Sequence, residues 1–236
     1  MQSTSKCRFC NLVTVGSTRI QSLFPPQVVT AEVDPTVVEE KILHPAEEAL
    51  VSSAVPKRRR EFAAGRACAR AALAELGKAA GPILSGVRNE PRWPEGVIGS
   101  ITHTNGYCAA AVASEDAIRS VGLDVERSDS MPRELWSYIC TNEEFEWLSG
   151  WPQDDIGSLV KLIFCVKECV YKCQYPITHE FLDFLDVEIA FNNKQEGFVA
   201  KIVDKTHIKK QLGSSLEGRC FVDDGFVHSG MVLVRK

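Results

Sequence analysis

The chain has no run of about 20 apolar residues, the length that a membrane span requires. Its first residues, Met1-Gln2-Ser3-Thr4-Ser5-Lys6, lack the apolar core of a secretory signal. Neither a P-loop nor a kinase Gly-rich loop occurs, which lowers the standing of ordinary nucleotide phosphotransferases. Cys7-x-x-Cys10 has no second C-x-x-C to complete the four ligands of a structural zinc. Surplus positive charge is also missing. The formal net charge is −4, so a general nucleic-acid surface is not expected, and any anion site must be a local gathering of Lys and Arg. These absences describe a chain with no stable membrane anchor and no nucleic-acid partner. The nine Cys are odd in number, and with the missing signal they point to reduced thiols in a cytoplasmic protein.

What is present begins with length. The 236 residues suit one large domain or two small ones, either able to bury a core. His44-Pro45-Ala46-Glu47-Glu48 reads as a helix start, with Pro at the first position and acids in the first turn. A second helix is expected from Pro56 to Leu76, stopping at Gly77. A Gly/Pro-rich loop follows. Val97–His103, Tyr107–Ala113 and Ser120–Glu126 read as strands. Thr141-Asn142-Glu143-Glu144 is a capping box. A long helix is expected over Ile156–Tyr175, ending at Pro176. Its Cys165, Cys169 and Cys173 recur every four residues and read as small apolar packing. Leu185, Val187, Ile189 and Phe191 alternate as in a half-buried strand. Phe198–Val203 and Arg219–Val222 are further strands, and Asp224-Gly225 is a hairpin turn before Phe226–Val234. Each half thus reads as one long helix followed by an antiparallel meander: residues 1–126, then 127–236. Residues 1–43 receive no assignment.

Four groups of residues carry chemistry. In Gly122-Leu123-Asp124-Val125-Glu126, the two acids fall on one face of a strand, where a hard divalent cation is their natural partner. In Phe164-Cys165-Val166-Lys167-Glu168-Cys169-Val170-Tyr171-Lys172, Glu168 and Lys172 form an i,i+4 pair on a helix with largely apolar neighbours. The plain alternative is a surface ion pair. His103 closes Gly99-Ser100-Ile101-Thr102-His103 beside the turn Asn105-Gly106, where Thr102 and His103 could both donate to an anion. Finally, Arg58 and Arg66 share a helix face and can converge on a phosphate, although a basic run is more often a solvated surface.

Taken in order, these motifs resemble the 4′-phosphopantetheinyl transferase family, in the branch serving siderophore, polyketide and fatty-acid carrier proteins. The resemblance runs from about His44 to Pro176. It implies an α+β fold of two pseudo-repeated helix-plus-meander halves in one monomer, with coenzyme A bound in the cleft between them. It implies transfer of 4′-phosphopantetheine from coenzyme A to a serine of an apo acyl or peptidyl carrier protein, releasing 3′,5′-ADP. Asp124, Glu126 and Glu168 match the family's magnesium ligands, with manganese as an alternative ion. Asp124 also lies beside the pyrophosphate, and Lys172 neutralises it. Glu168 matches the catalytic base, and Lys167 a lysine beside it. Arg58, Arg66 and His103 match residues holding the 3′-phosphoadenosine end, with Thr102 a hydroxyl-bearing neighbour. Arg88, Asn89, Glu90 and Pro91 match the adenine and phosphate loop. Ser85 stands where some relatives have Lys, a charge that Arg88 is expected to replace. Two rivals remain at this point: another magnesium-dependent phosphotransferase, and a non-enzymatic coenzyme A or carrier-binding module.

Overall fold

A computed structural model describes residues 12–79 and 81–235. The Cys7–Cys10 pair lies outside the described residues. The chain divides into two compact units between Asp116 and Ala117. The first contains β1 (Thr14–Val15), β2 (Val29–Val33), α1 (Pro45–Val51), α2 (Pro56–Glu75), β3 (Val97–Thr104) and β4 (Tyr107–Ser114). Its antiparallel sheet has the order β1-β2-β4-β3. Pro56 starts α2 at a position where its missing N–H costs nothing, and a run of Ala, Arg and Leu carries it on. Its buried face is made of small residues: Ala63, Ala64, Cys68, Ala69 and Ala72. They pack with Cys108, Ala110 and Val112 of β4, so helix and sheet lie close together.

The second unit contains β5 (Ile118–Arg127), α3 (Trp136–Ile139), α4 (Asn142–Leu148), α5 (Gln153–Thr178), β6 (Val187–Phe191), β7 (Gly197–Ile202), α6 (Thr206–Leu212), β8 (Ser215–Asp223) and β9 (Phe226–Val234). Its antiparallel sheet runs β5-β9-β8-β7-β6. Asp224 and Gly225, at φ 47 and 78, form the tight turn between β8 and β9. Helix α5 does not stop at Pro176, as the sequence suggested, but continues to Thr178. So close to the helix end, Pro removes a single hydrogen bond, and the last turn is held otherwise. His179 adopts the left-handed conformation and donates its N–H to Tyr175 at 2.9 Å. Thr178 bonds to Gln174, whose amide donates to the carbonyl of Glu180 at 2.9 Å.

The two units share a plan. In each, a strand comes first, the long helix lies across the sheet, and the first strand of the plan pairs with the last, β2 with β4 and β5 with β9. The expected helix-plus-meander repeat is therefore strand, helix, meander. Two consequences differ from the sequence reading. β5, assigned there to the first half, belongs to the second unit's sheet, so the division falls after Asp116 rather than after Glu126. β2 lies within the stretch that received no element. Among the described residues no helix is long and apolar enough to cross a membrane.

Candidate active site

β5 lies against α5 in a regular register, two strand residues to each helical turn. Ser120 donates to the carbonyl of Cys173 at 2.6 Å. A Cβ on Gly122 would fall 2.3 Å from the carbonyl oxygen of Cys169 and 2.7 Å from Cys173 Cβ, so only glycine permits the approach. Ser229 of β9 ties Cys165 to Asp124, donating to their carbonyls at 3.0 and 3.4 Å. The Cys165, Cys169 and Cys173 stripe is wholly buried, as expected of small packing residues. Burial holds all three thiols above their ordinary range. This close contact brings the next two residues on the same face of β5, Asp124 and Glu126, to the charged turns of α5.

Asp124 is buried and receives Lys172 Nζ on Oδ1 at 2.5 Å. Burial alone would lower the Lys172 ammonium, but Asp124 and Glu168 outweigh it and hold it above its ordinary value. Burial, then Asp124, pushes Glu126 up to about 7, against the pull of Lys161 and Lys172. Burial and Asp124 also raise Glu168, which is half-buried. Asp124 thus raises the proton affinity of both other acids despite Lys161 and Lys172, an arrangement that resists full ionisation without further positive charge. They do not, as arranged, form a metal cage: no three acidic, His or Cys side chains among the described residues close around one point. The expected three-ligand set of Asp124, Glu126 and Glu168 is thus not closed around one point, and Lys172 already pairs with Asp124. Magnesium, however, is held by one or two carboxylates with substrate phosphates and water completing its shell. Asp124 and Glu126, hard oxygen donors on one strand face, fit an ion of that kind.

Lys167 requires a correction. It was expected beside the substrate, but its ammonium is buried and donates to the carbonyls of Ile139 and Phe184 at 2.7 and 2.8 Å and to Glu144 Oε2 at 2.7 Å. All three of its protons are occupied by protein. Glu144, in turn, accepts the N–H of Thr141 and of Ile189, each at 2.8 Å. Lys167 locks α5 to the start of α4 and to β6. Glu168, the next residue, lines a cavity of about 240 Å³ together with Tyr171, Phe181 and Leu182, and Lys167 borders it with its ammonium turned to its protein partners.

The first unit holds a cavity of about 410 Å³ lined by Arg58, Arg66, Ser85, Asn89, Pro91 and His103, with Glu61 and Phe62. Five of the residues picked from the sequence meet there. Arg58 donates to Nε2 of His103, which fixes the ring's other proton on Nδ1, 3.7 Å from Glu61. Arg66 is buried, lies 4.0 Å over the ring of Phe62, and donates from Nε to the carbonyl of Ile83 at 2.8 Å and from Nη2 to Ser85 at 3.3 Å. Burial lowers it to about 10, partly offset by Glu47, so it stays charged at neutral pH. Among the described residues two of its five N–H groups are paired, leaving three for a ligand.

The remaining candidates are not on this wall. Thr102 neighbours His103 on a strand, so its side chain turns to the opposite face, where it is buried. Arg88 stands at the exposed tip of the loop, and the Glu90 carboxylate accepts the Arg88 backbone N–H at 2.8 Å. Arg88 is not among the residues lining this cavity. Ser85 instead accepts from Arg66, and the guanidinium carries the charge. Ser85, Glu61, Phe62 and Glu47 were not selected from the sequence as site residues. Ser85, Glu61 and Glu47 act through partners far away in the chain, which no local pattern announces, whereas Phe62 meets Arg66 one helical turn on, an i,i+4 spacing the sequence does show.

Two family models match the chain: the 4′-phosphopantetheinyl transferase N-terminal domain over residues 46–113, and the 4′-phosphopantetheinyl transferase superfamily over residues 120–227. The chain is 42% identical to the 4′-phosphopantetheinyl transferase Npt of Nocardia iowensis, over 73% of this chain and 76% of the relative. It is 37% identical to the 4′-phosphopantetheinyl transferase PptT of Mycobacterium tuberculosis, over 80% of this chain and 85% of the relative. It is also 37% identical to the 4′-phosphopantetheinyl transferase Svp of Streptomyces mobaraensis, over 88% and 86%. With paired acids and a lysine on one unit and a basic cavity on the other, this chain belongs to the 4′-phosphopantetheinyl transferase superfamily and transfers phosphopantetheine from coenzyme A to a carrier protein.

Proposed function

We propose a magnesium-dependent transfer in which a serine hydroxyl of the carrier attacks the β-phosphate of coenzyme A. The new bond joins the serine oxygen to phosphorus. The bond to the bridging oxygen breaks, and 3′,5′-ADP leaves with that oxygen. Glu168 takes the hydroxyl proton, directly or through water. Its raised proton affinity suits a base working near neutral pH. Lys172 donates to the pyrophosphate once Asp124 has another cation to face. Asp124 and Glu126 would hold magnesium or manganese, which would supply positive charge against the cleaving pyrophosphate bond and the departing 3′,5′-ADP. Glu168 is reserved for the proton, because a metal-bound carboxylate is a poor base. The cavity with Arg58, Arg66 and His103 receives the 3′-phosphoadenosine end.

The observation that carries this reading is the partial or full burial of Asp124, Glu126 and Glu168 beside Lys172, with burial and Asp124 raising the other two acids. Positioning and charge stabilisation then supply most of the rate, as in other phosphoryl-type transfers. We further infer that the protein works as a monomer in a cytoplasm. Buried, unoxidised thiols support that compartment. The experiment is incubation with coenzyme A, magnesium and a panel of apo carriers. A carrier mass gain of one phosphopantetheine, lost on chelation of the metal, is expected. Undiminished transfer in excess chelator overturns the metal role, and sedimentation as an obligate oligomer overturns the monomer.

A further inference from the structure

Glu47, in the first turn of α1, is completely buried, and its two oxygens serve three different partners. Oε2 accepts the N–H of His44 at 2.9 Å, closing the capping box of the helix. Both oxygens accept from Arg70 Nη1 at 2.9 Å. Oε1 accepts the backbone N–H of Ile83 at 2.8 Å. The carbonyl of the same Ile83 is the acceptor for Arg66 Nε. Ile83 is thereby gripped at both its polar groups. Two residues later comes Ser85, the second acceptor for Arg66 and the start of the loop that lines the basic cavity.

The second unit contains the same device. Glu144 closes the capping box of α4, accepts the N–H of Ile189 and pairs with Lys167 of the long helix. Glu47 and Arg70 are 23 residues apart, and so are Glu144 and Lys167. A buried carboxylate that joins a helix start, the long helix and a later backbone segment is thus built twice into the chain.

We propose that Glu47 is a positioning residue for coenzyme A recognition: it fixes the Ile83 peptide and, through it, aims Arg66 into the cavity. This rests on the reading of that cavity as the site of the 3′-phosphate end. The chemistry demands a carboxylate. Glutamine would set an N–H₂ either against the Ile83 N–H or against the His44 N–H, and in both cases against Arg70 Nη1, donor facing donor, so one backbone hold fails and the grip on Arg70 weakens. Arg66 then keeps its charge and loses its direction.

The test measures kcat and KM with coenzyme A and with dephospho-coenzyme A, and calorimetric binding of 3′,5′-ADP. The proteins are wild type, Glu47→Gln and Glu144→Gln. Glu47→Gln should raise KM for coenzyme A roughly tenfold, a coupling of ordinary size between groups in one network. Its KM for dephospho-coenzyme A should rise far less, kcat should change little, and 3′,5′-ADP should bind more weakly in proportion. Glu144→Gln removes the equivalent carboxylate elsewhere and should keep the wild-type preference for the 3′-phosphate. If Glu47→Gln does not fold well enough to assay, Glu47→Asp keeps the charge for Arg70 but stops short of Ile83, and its ratio decides instead. A wild type blind to the 3′-phosphate overturns the cavity reading, and this proposal with it. A wild type that discriminates, beside a Glu47 variant that discriminates equally well, overturns the positioning role alone. Equal loss of preference in the Glu47 and Glu144 variants also overturns it, since general instability then explains both.

Discussion

Lys167 and Lys172 lie on one helix, yet their removal should damage the protein in different ways. Lys167→Ala strands the Glu144 carboxylate in the core and should cost about 3–5 kcal/mol of stability, the usual cost of breaking a buried pair. Lys172→Ala also strips the buried Asp124 of its cation, but the lysine is 27% exposed, so water or an added divalent cation can reach the acid; with magnesium present the variant should melt nearer to wild type while losing most transfer. Comparing melting temperatures with initial rates separates the two, and a Lys172 variant less stable than the Lys167 variant contradicts the assignment. Glu168→Gln should lower transfer by about 10² or more, the scale of a lost general base, while still binding coenzyme A. Glu126 gives a pH signature. Its proton affinity in the folded protein is raised to about 7, so between the unfolded value and 7 the folded state holds the extra proton. The stability this gives is present at low pH and lost as pH rises through about 7. Magnesium must displace that proton, so it should raise the melting temperature more at pH 8 than at pH 5.5. An equal rise at both would mean that Glu126 does not meet the metal.

At the scale of elements, the close seating of α5 on β5 decides whether the charged groups meet at all. Gly122→Ala should force the helix off the strand, costing about 1–3 kcal/mol and lowering kcat more than it raises KM for coenzyme A. A variant of normal activity would show that the contact can relax. Much of this was legible in the sequence. The pair Asp124 and Glu126 and the pair Glu168 and Lys172 fall on shared faces by local periodicity alone, and periodicity also gave both long helices and the strands that follow. The failures share a cause. The partners of Lys167 and Ser85 are separated from them by long stretches of chain, beyond any periodic pattern. Thr102 was grouped with His103 because they are neighbours, although adjacency on a strand sends side chains to opposite faces. Arg88 was chosen for its charge alone, while Arg66, already on the helix, meets the hydroxyl of Ser85. The 23-residue interval from capping-box carboxylate to helix cation is visible in the sequence, but its meaning appears only when both clamps are seen.

For the whole molecule, the seven described cysteines are all buried. A thiol reagent should label none of them in the folded protein and all of them after denaturation, read peptide by peptide in a mass spectrometer. Rapid native labelling of Cys165, Cys169 or Cys173 would mean that α5 opens from β5. The strand plan has a consequence for how the enzyme comes into being. The ladder of the first unit is complete once Ser114 has been made, because β2 and β4 both precede it. Among the described residues β5, which carries Asp124 and Glu126, finds its one strand partner in β9, Phe226–Val234. A ribosome adding about 5–20 residues per second therefore leaves β5 waiting on the order of ten seconds for its partner. Once Lys172 has been added, the nascent chain contains every acid and lysine of the reaction but cannot yet hold them in place. A stop codon between Lys172 and Phe226 should thus yield a chain with all its catalytic residues and no catalysis.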